Sequence, residues 1–155
     1  MTDGAGPPAQ RDPGSYRDPA GFVFRRDGVV YRQINESFAE DWDEFEASGL
    51  YQRLADEAVL ISHADVDAAL AAEPPAHKVI RPEQLDVISY PYEWSFSQLK
   101  DAALLTLRAQ SLAADAGMTL RDATAYNVQF LRGRPILIDS LSFERAGSVC
   151  AIRAW

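Results

Sequence analysis

The segment from Leu120 to Asp139 constrains this chain most, because it places three polar side chains at fixed spacing around a short hairpin. Asn127 follows Asp122 by five residues, and Asp139 follows Asn127 by twelve. Between the last two, apolar runs flank an Arg-Gly pair and predict two short antiparallel strands. Two carboxylates and an amide held together by a hairpin are suited to binding a metal ion and orienting a phosphate.

Composition and charge exclude several classes of partner. The net charge of -8 argues against a nucleic-acid surface, which needs a basic stripe. No apolar run approaches the roughly 20 residues that span a bilayer, and the N-terminus lacks the pattern of a signal peptide. The single cysteine, Cys150, excludes an internal disulfide. We expect a cytoplasmic protein that binds neither nucleic acid nor a membrane.

The remaining sequence predicts a succession of short elements. Residues 1–19 are rich in Gly, Pro, Asp and Arg and predict a disordered leader. A hairpin with an Asp-Gly turn is predicted over 21–34, and a helix opened by a capping box at 37–40 follows it. Next come a helix over 50–58, an Ala-rich helix over 64–72 and short strands at 79–80 and 87–90. A long helix is opened by a second capping box at 95–98 and closed by Gly117. With the hairpin after Asn127 they predict an α+β fold.

The order of these elements resembles that of a protein kinase. The first hairpin and helix resemble an N-lobe, and the long helix, the Asp122 loop and the second hairpin resemble the start of a C-lobe. This resemblance implies Asp122 as catalytic base, Asn127 and Asp139 as metal ligands, and Mg-ATP as the ligand. We therefore expect one truncated, kinase-like domain over residues 20–144. The alternative is a purely structural role, in which Asp122 and Asp139 cap local turns.

Several kinase signatures are missing from the chain. Leu120 stands where kinases usually have His, and Ser140 and Leu141 replace the Phe-Gly that should follow Asp139. The first hairpin has no G-x-G-x-x-G loop. Arg32 occupies the strand that carries the kinase Lys, and Arg does not replace Lys at a catalytic position. A competent kinase is therefore not expected.

An aromatic segment over residues 89–96 holds four rings in eight positions. One interpretation is a corner whose rings fill the core. The other is the wall of a ligand pocket, at the place of the kinase hinge, where Tyr92, Glu93 and Trp94 face an aromatic group. On the second interpretation Tyr92 and Trp94, together with Arg32, are the candidate cofactor-binding residues.

Three segments also resemble a second family. They are residues 17–35, residues 89–104, which begin Ser-Tyr-Pro-Tyr-Glu-Trp-Ser-Phe, and residues 122–144, which include Asp-Ala-Thr-Ala-Tyr-Asn and Ile-Asp-Ser-Leu-Ser-Phe-Glu. They are similar to the N-terminal region of bacterial class I SAM-dependent methyltransferases of the nodulation-protein (NoeA-like) type. The resemblance implies a transferase that uses SAM when full-length, with a downstream methyltransferase domain or polypeptide as partner. This chain has no D/E-x-G-x-G-x-G loop, so we expect it to be inactive in methyl transfer by itself.

Residues 145–155 depart from that family, and we interpret the short tail as a truncation or a change of reading frame. Apolar surface that further helices should cover would then be exposed. The first hypothesis for the function is an N-terminal fragment of a SAM-dependent methyltransferase. The alternatives are a small kinase-like phosphotransferase that binds Mg-nucleotide, and an acidic protein-interaction module.

Overall fold

The computed structural model describes residues 9–15 and 18–147, and these form two compact units. Unit 1 takes the described residues up to 40 together with 62–86, and unit 2 takes 41–61 and 87–147. Each unit is therefore assembled from two separate stretches of chain. Helices and strands are both abundant, which confirms the α+β class. The kinase-like assignment within that class stays a prediction.

Unit 1 is built on an antiparallel sheet of five strands in the order β1-β2-β3-β5-β4. The strands are β1 (Gln10–Arg11), β2 (Gly21–Arg26), β3 (Val29–Ile34), β4 (His63–Val66) and β5 (Lys78–Pro82). The predicted hairpin is confirmed, since β2 and β3 pair along their whole length. Asp27 and Gly28 turn the chain with φ angles of 51° and 77°, the left-handed conformation that makes Asp-Gly a strong hairpin signal.

Residues 10–15 have structure that their composition did not indicate. β1 pairs with β2, and the Arg11 guanidinium lies 4.1 Å from the centre of the Phe22 ring. The same guanidinium contacts the Glu73 carboxylate at 3.3 Å. One cation that stacks on a ring and also meets a carboxylate therefore anchors a stretch for which the sequence predicted a disordered leader.

The prediction of an Ala-rich helix over 64–72 is wrong. The chain forms β4 there, followed by a single 3-10 turn over Ala68–Leu70. The Asp67 carboxylate starts that turn by accepting a hydrogen bond from the Ala69 N–H at 2.8 Å. Alanine has the highest helix propensity, but propensity differences amount to less than about 1 kcal/mol per residue, and the pairing of β4 with β5 outweighs them here.

The core of unit 1 lies between the sheet and the loop over 70–77. Phe22, Phe24 and Val79 are buried there, and three alanines of the loop pack against them. The buried side chain of Gln33 joins sheet and loop. Its Oε1 accepts from the N–H groups of Ala72 and Glu73, both at 3.1 Å, and its Nε2 donates to the Glu73 carbonyl at 2.6 Å.

Unit 2 combines helices with two small sheets. Its elements are α1 (Ala39–Ala47, of which residues 41–47 belong to the unit), α2 (Leu50–Asp56), α3 (Phe96–Asp115), β6 (Met118–Leu120), β7 (Val128–Leu131), β8 (Arg134–Leu137) and β9 (Phe143–Arg145). β7 pairs with β8 across the Arg-Gly turn, which confirms the second predicted hairpin. The antiparallel pair of β6 and β9 was not predicted, because three-residue strands carry too little alternation to be recognised.

The two predicted capping boxes have different outcomes. Ser95 and Gln98 form the predicted pair, in which each side chain accepts the other's backbone N–H, and Gly117 with φ of 72° follows the helix they open. The Ser37 hydroxyl instead donates to the Pro19 carbonyl at 2.7 Å, and a 3-10 turn leads into α1. The Ser37 hydroxyl is therefore bonded to the Pro19 carbonyl and does not form the predicted capping box.

The core of unit 2 is built around stacked rings. Phe45 of α1 lies parallel to Phe143 of β9, with ring centres 5.1 Å apart, and Trp42 meets Phe45 edge-on at 5.7 Å. All three are buried, as are Leu112 of α3 and Met118 of β6. Within the part of the chain that the structure describes, no helix is long and apolar enough to cross a membrane.

Candidate functional site

The loop that carries Asp122 is held against the segment that follows Asp139. Immediately after β6, the Arg121 N–H donates to the Ser142 carbonyl at 2.7 Å. The Arg121 guanidinium donates to the Leu141 carbonyl at 3.1 Å. Two stretches that are twenty residues apart in sequence are thereby fixed side by side, and the candidate residues belong to them.

Asn127 and Asp139 meet on one hydroxyl group. The Asn127 amide nitrogen Nδ2 lies 3.2 Å from Ser142 Oγ, and that hydroxyl donates to Asp139 Oδ2 at 2.6 Å. The same amide nitrogen is 3.5 Å from the backbone carbonyl of Asp122. In addition, the Ile138 N–H donates to the Asn127 carbonyl at 2.8 Å. The structure therefore brings the three predicted residues into one hydrogen-bonded cluster in unit 2.

The two acids also form the local turns that the structural alternative predicted. Asp122 Oδ1 accepts the Thr124 N–H at 2.9 Å, and Asp139 Oδ1 accepts the Leu141 N–H at 3.2 Å. Asp122 is exposed, whereas Asp139 is half-buried. Capping these turns and lining a binding site are compatible, because an ionised carboxylate has about four acceptor positions.

The cluster supplies an oxygen-rich donor set. Because Asn127 uses Nδ2 toward the protein, its Oδ1 is the atom that would face a metal ion. The Asp139 carboxylate would supply the second protein oxygen, as hard Mg²⁺ prefers, and phosphate oxygens and waters would complete the shell. Asp122, exposed at the edge of the cluster, would be placed to accept a proton from a hydroxyl group. These roles stay predictions.

Ser142 is the member of the cluster that the sequence analysis missed. Its hydroxyl is buried and joins Asn127 to Asp139. The signal was present, since a Ser three residues after an Asp is the spacing of a local side-chain turn. Nothing in that spacing, however, predicts that the hydroxyl also reaches an amide fifteen residues away.

The aromatic segment is fixed by a buried glutamine of the second hairpin. Gln129 Oε1 accepts the Ser89 N–H, and Gln129 Nε2 donates to the Ser89 carbonyl, both at 2.9 Å. The strand predicted over 87–90 is wrong, because a side chain has taken the hydrogen bonds that a strand partner would make. Trp94 is buried, its indole N–H donates to Ser89 Oγ at 2.8 Å, and its ring meets Phe130 edge-on at 5.1 Å.

Tyr92 and Trp94 therefore lie in different environments. Trp94 fills the core of unit 2, as the first interpretation of the segment had it. Tyr92 is 76% exposed and stacks on Tyr90, with ring centres 5.5 Å apart. Desolvation and the neighbouring Glu93 carboxylate raise the pKa of the Tyr92 hydroxyl. A ligand-binding role for either ring stays a prediction.

Arg32 lies in unit 1, half-buried on β3 opposite Ile80 of β5. Its charge acts on the neighbouring His63. The pKa of His63 is lowered to about 4: burial has the largest effect, the Asp65 carboxylate acts in the opposite direction, and the positive charges of Lys78 and Arg32 add to the lowering. Lys78, the other cation near His63, is paired with the Asp65 carboxylate at 3.0 Å. The assignment of Arg32 to a cofactor stays a prediction.

The sequence of this chain was compared with those of known proteins. No protein-family model matches the chain. The nodulation protein NoeA of Rhizobium meliloti (strain 1021) is 39% identical to it over 148 residues. That similarity takes in 90% of this chain. The two sequences are homologous over that region.

The relative is much longer than the chain. The matched region is 29% of NoeA, so this chain spans less than a third of the length of that protein. The similarity carries no information about the function of the remaining 71% of NoeA.

Proposed function

We propose that this chain is a non-catalytic module of a larger NoeA-like transferase, and that methyl transfer from SAM belongs to another part of that larger protein. One observation carries the proposal: 39% identity extends over 90% of this chain and over only 29% of the relative. A region that matches from near one end of the chain to the other, yet is a minor part of the relative, is the expected pattern for one module of several.

The glycines of this chain support the non-catalytic part of the proposal. SAM, like other nucleotides, is bound by a glycine-rich loop that follows a strand and leads into a helix. The four described glycines with positive φ lie singly instead, at hairpin turns and helix ends: Gly28, Gly49, Gly117 and Gly133. Each has a local structural reason for being glycine, and none belongs to a cradle for a phosphate or a sulfonium nucleotide.

Reading the gene beyond codon 155 tests this proposal. The proposal predicts an open frame, or an adjacent reading frame, that encodes a strand followed by a glycine-rich loop and an acidic residue for the ribose. Unrelated sequence, with no such reading frame near the gene, would contradict it. Either result is independent of whether the isolated chain can be purified.

A second function, binding of Mg-nucleotide, is favoured by one specific observation. Asn127 and Asp139 converge on Ser142, and the backbone of Asp122 lies beside the same amide. Phosphoryl transfer depends mainly on positioning and charge neutralisation, so a metal held at this cluster would supply most of what the reaction needs. The missing kinase signatures favour a site that binds nucleotide over one that turns it over.

Asp139→Asn tests this second function. If the cluster holds Mg-nucleotide, the wild-type chain binds Mg-ATP in isothermal titration calorimetry, and Asp139→Asn weakens binding by at least about tenfold, or about 1.4 kcal/mol. Asp122→Asn should retain binding, because that residue is assigned to the proton and not to the metal. Asp101→Asn, on an exposed part of α3, is the matched control. Equal affinity for all four proteins would refute the metal assignment.

A further inference from the structure

The helix α3 carries two apolar faces, and only one of them is buried. The face packed inside unit 2 consists mainly of small residues: Ala102, Ala109, Leu112 and Ala113. The larger apolar side chains stand on the exposed side: Phe96, Leu99, Leu104 and Leu107. A helix of a globular protein normally turns its larger apolar side chains toward the core. Here the arrangement is reversed.

The exposure of these side chains is large. Phe96 is 82% exposed and Leu107 is 67% exposed. Phe96, Leu99, Ala103 and Leu107 are spaced by three or four residues, so they form a stripe along one side of the helix. We call this stripe, with Leu104 at its edge, the α3 apolar face. Exposed apolar residues are common singly, whereas a contiguous row of them marks a binding surface.

A groove lies beside the α3 apolar face. It has a volume of about 360 Å³ and is lined by residues of α3 between Leu99 and Leu107 and by Ala123 and Ala125 of the following loop. Among the residues that the structure describes, no charged side chain lines it. The two alanines come from the loop between Asp122 and Asn127, so whatever occupies the groove also contacts the loop that carries the candidate site.

The charged side of α3 is used differently. Arg108 donates to the Glu57 carboxylate at 2.6 Å, and the Asp115 carboxylate meets Arg53 at 3.4 Å. The hydrogen bond from Arg108 lowers the pKa of Glu57. These ion pairs link α3 to α2 inside unit 2. The apolar face points elsewhere, and its chemistry suits a second apolar surface and not a charged partner.

We propose that the α3 apolar face and its groove dock an amphipathic helix from the portion of the longer NoeA-like protein that lies outside the matched region. The inference rests on the proposed function, because it takes the occupant from the rest of the same larger protein. NoeA is long enough to contain such a helix, since 71% of its sequence lies outside the matched region. The apolar lining indicates which side chains the docked helix carries, because leucine-sized side chains at helical spacing fit an apolar groove between a helix and a loop.

Thiol reactivity tests the docking. Leu107→Cys, in a Cys150→Ser background, is made in this chain, and the same change is made at the aligned position of intact NoeA. In this chain the thiol should react with a disulfide reagent at the rate of a free exposed thiol. In intact NoeA it should react at least about 100-fold more slowly, because reaction then requires the docked helix to open. Ser97→Cys, on the charged side of α3, is the matched control and should react fast in both proteins.

Two results would overturn the proposal. One is a fast reaction at the aligned position of intact NoeA, which would show that the face is open in the longer protein. The other is a slow reaction at position 107 in this chain that becomes fast on dilution, which would show that a second copy covers the face. SAM binding by the same sample of intact NoeA is measured separately. Its absence would count against the proposed function and leave the docking result standing.

Discussion

Replacing Phe143 by alanine should lower the free energy of unfolding of unit 2 by about 4 kcal/mol, within the usual 3–5 kcal/mol for a buried phenylalanine. Phe143 is completely buried and stacks on Phe45 at 5.1 Å, so its loss removes both the apolar burial and the ring contact. The cavity would open directly beside Ser142, which joins Asn127 to Asp139. Equilibrium urea unfolding, followed by tryptophan fluorescence, measures the effect.

In a Trp155→Phe background the two remaining tryptophans, Trp42 and Trp94, both lie in unit 2, so the fluorescence reports on that unit. Phe96→Ala is the matched control, since the same change is made at a ring that is 82% exposed, and we expect a cost below about 0.5 kcal/mol. Equal losses for the two variants would contradict the packing described for unit 2. A loss below about 1 kcal/mol for Phe143→Ala would do the same.

Replacing Gln33 by leucine should destabilise unit 1 by about 3 kcal/mol. Leucine has a similar volume, so the cavity term is small and the loss comes from hydrogen bonds. Two backbone N–H groups and one carbonyl of the loop over 70–77 would lose their partner. Each buried polar group left without a partner costs about 1–3 kcal/mol. Because the loop packs against Phe22 and Phe24, these losses lower the free energy of unfolding of the whole unit.

Hydrogen exchange of the β2 and β3 amides measures this second effect, because neither Trp42 nor Trp94 belongs to unit 1. A loss of about 3 kcal/mol corresponds to exchange faster by roughly a hundredfold. Gln10→Leu, at an exposed glutamine of β1, should leave the exchange of the same amides nearly unchanged. Unchanged exchange in Gln33→Leu would show that the loop is held by other contacts.

Local signals in the sequence were sufficient for the hairpins and for α3. An Asp-Gly or Arg-Gly pair between two apolar runs needs only its neighbours to fold, and the Ser95 capping box is closed within four residues. Predictions failed where a distant group decided the outcome. The sequence over 64–72 could not reveal that residues 63–66 would pair with β5. Likewise, Ser37 could not reveal that its hydroxyl would donate to the Pro19 carbonyl.

The candidate site shows the same division. The spacing of Asp122, Asn127 and Asp139 around a hairpin predicted that they would gather, because a hairpin returns the chain to its starting point. Ser142 bonds to Asn127, and Gln129 bonds to Ser89, through hydrogen bonds between residues that are far apart in sequence. Single-sequence patterns do not encode such meetings. The exposed leucines of α3 were likewise hidden, because helical spacing alone does not say which face is covered.

The affinity of this chain for SAM tests the central claim most directly. We would titrate SAM into the purified 155-residue chain by calorimetry, with intact NoeA of Rhizobium meliloti as the comparison. The account predicts that the chain binds SAM more weakly than about 1 mM, whereas intact NoeA binds it in the micromolar range typical of a cosubstrate. Micromolar binding of SAM by the chain alone would contradict the account.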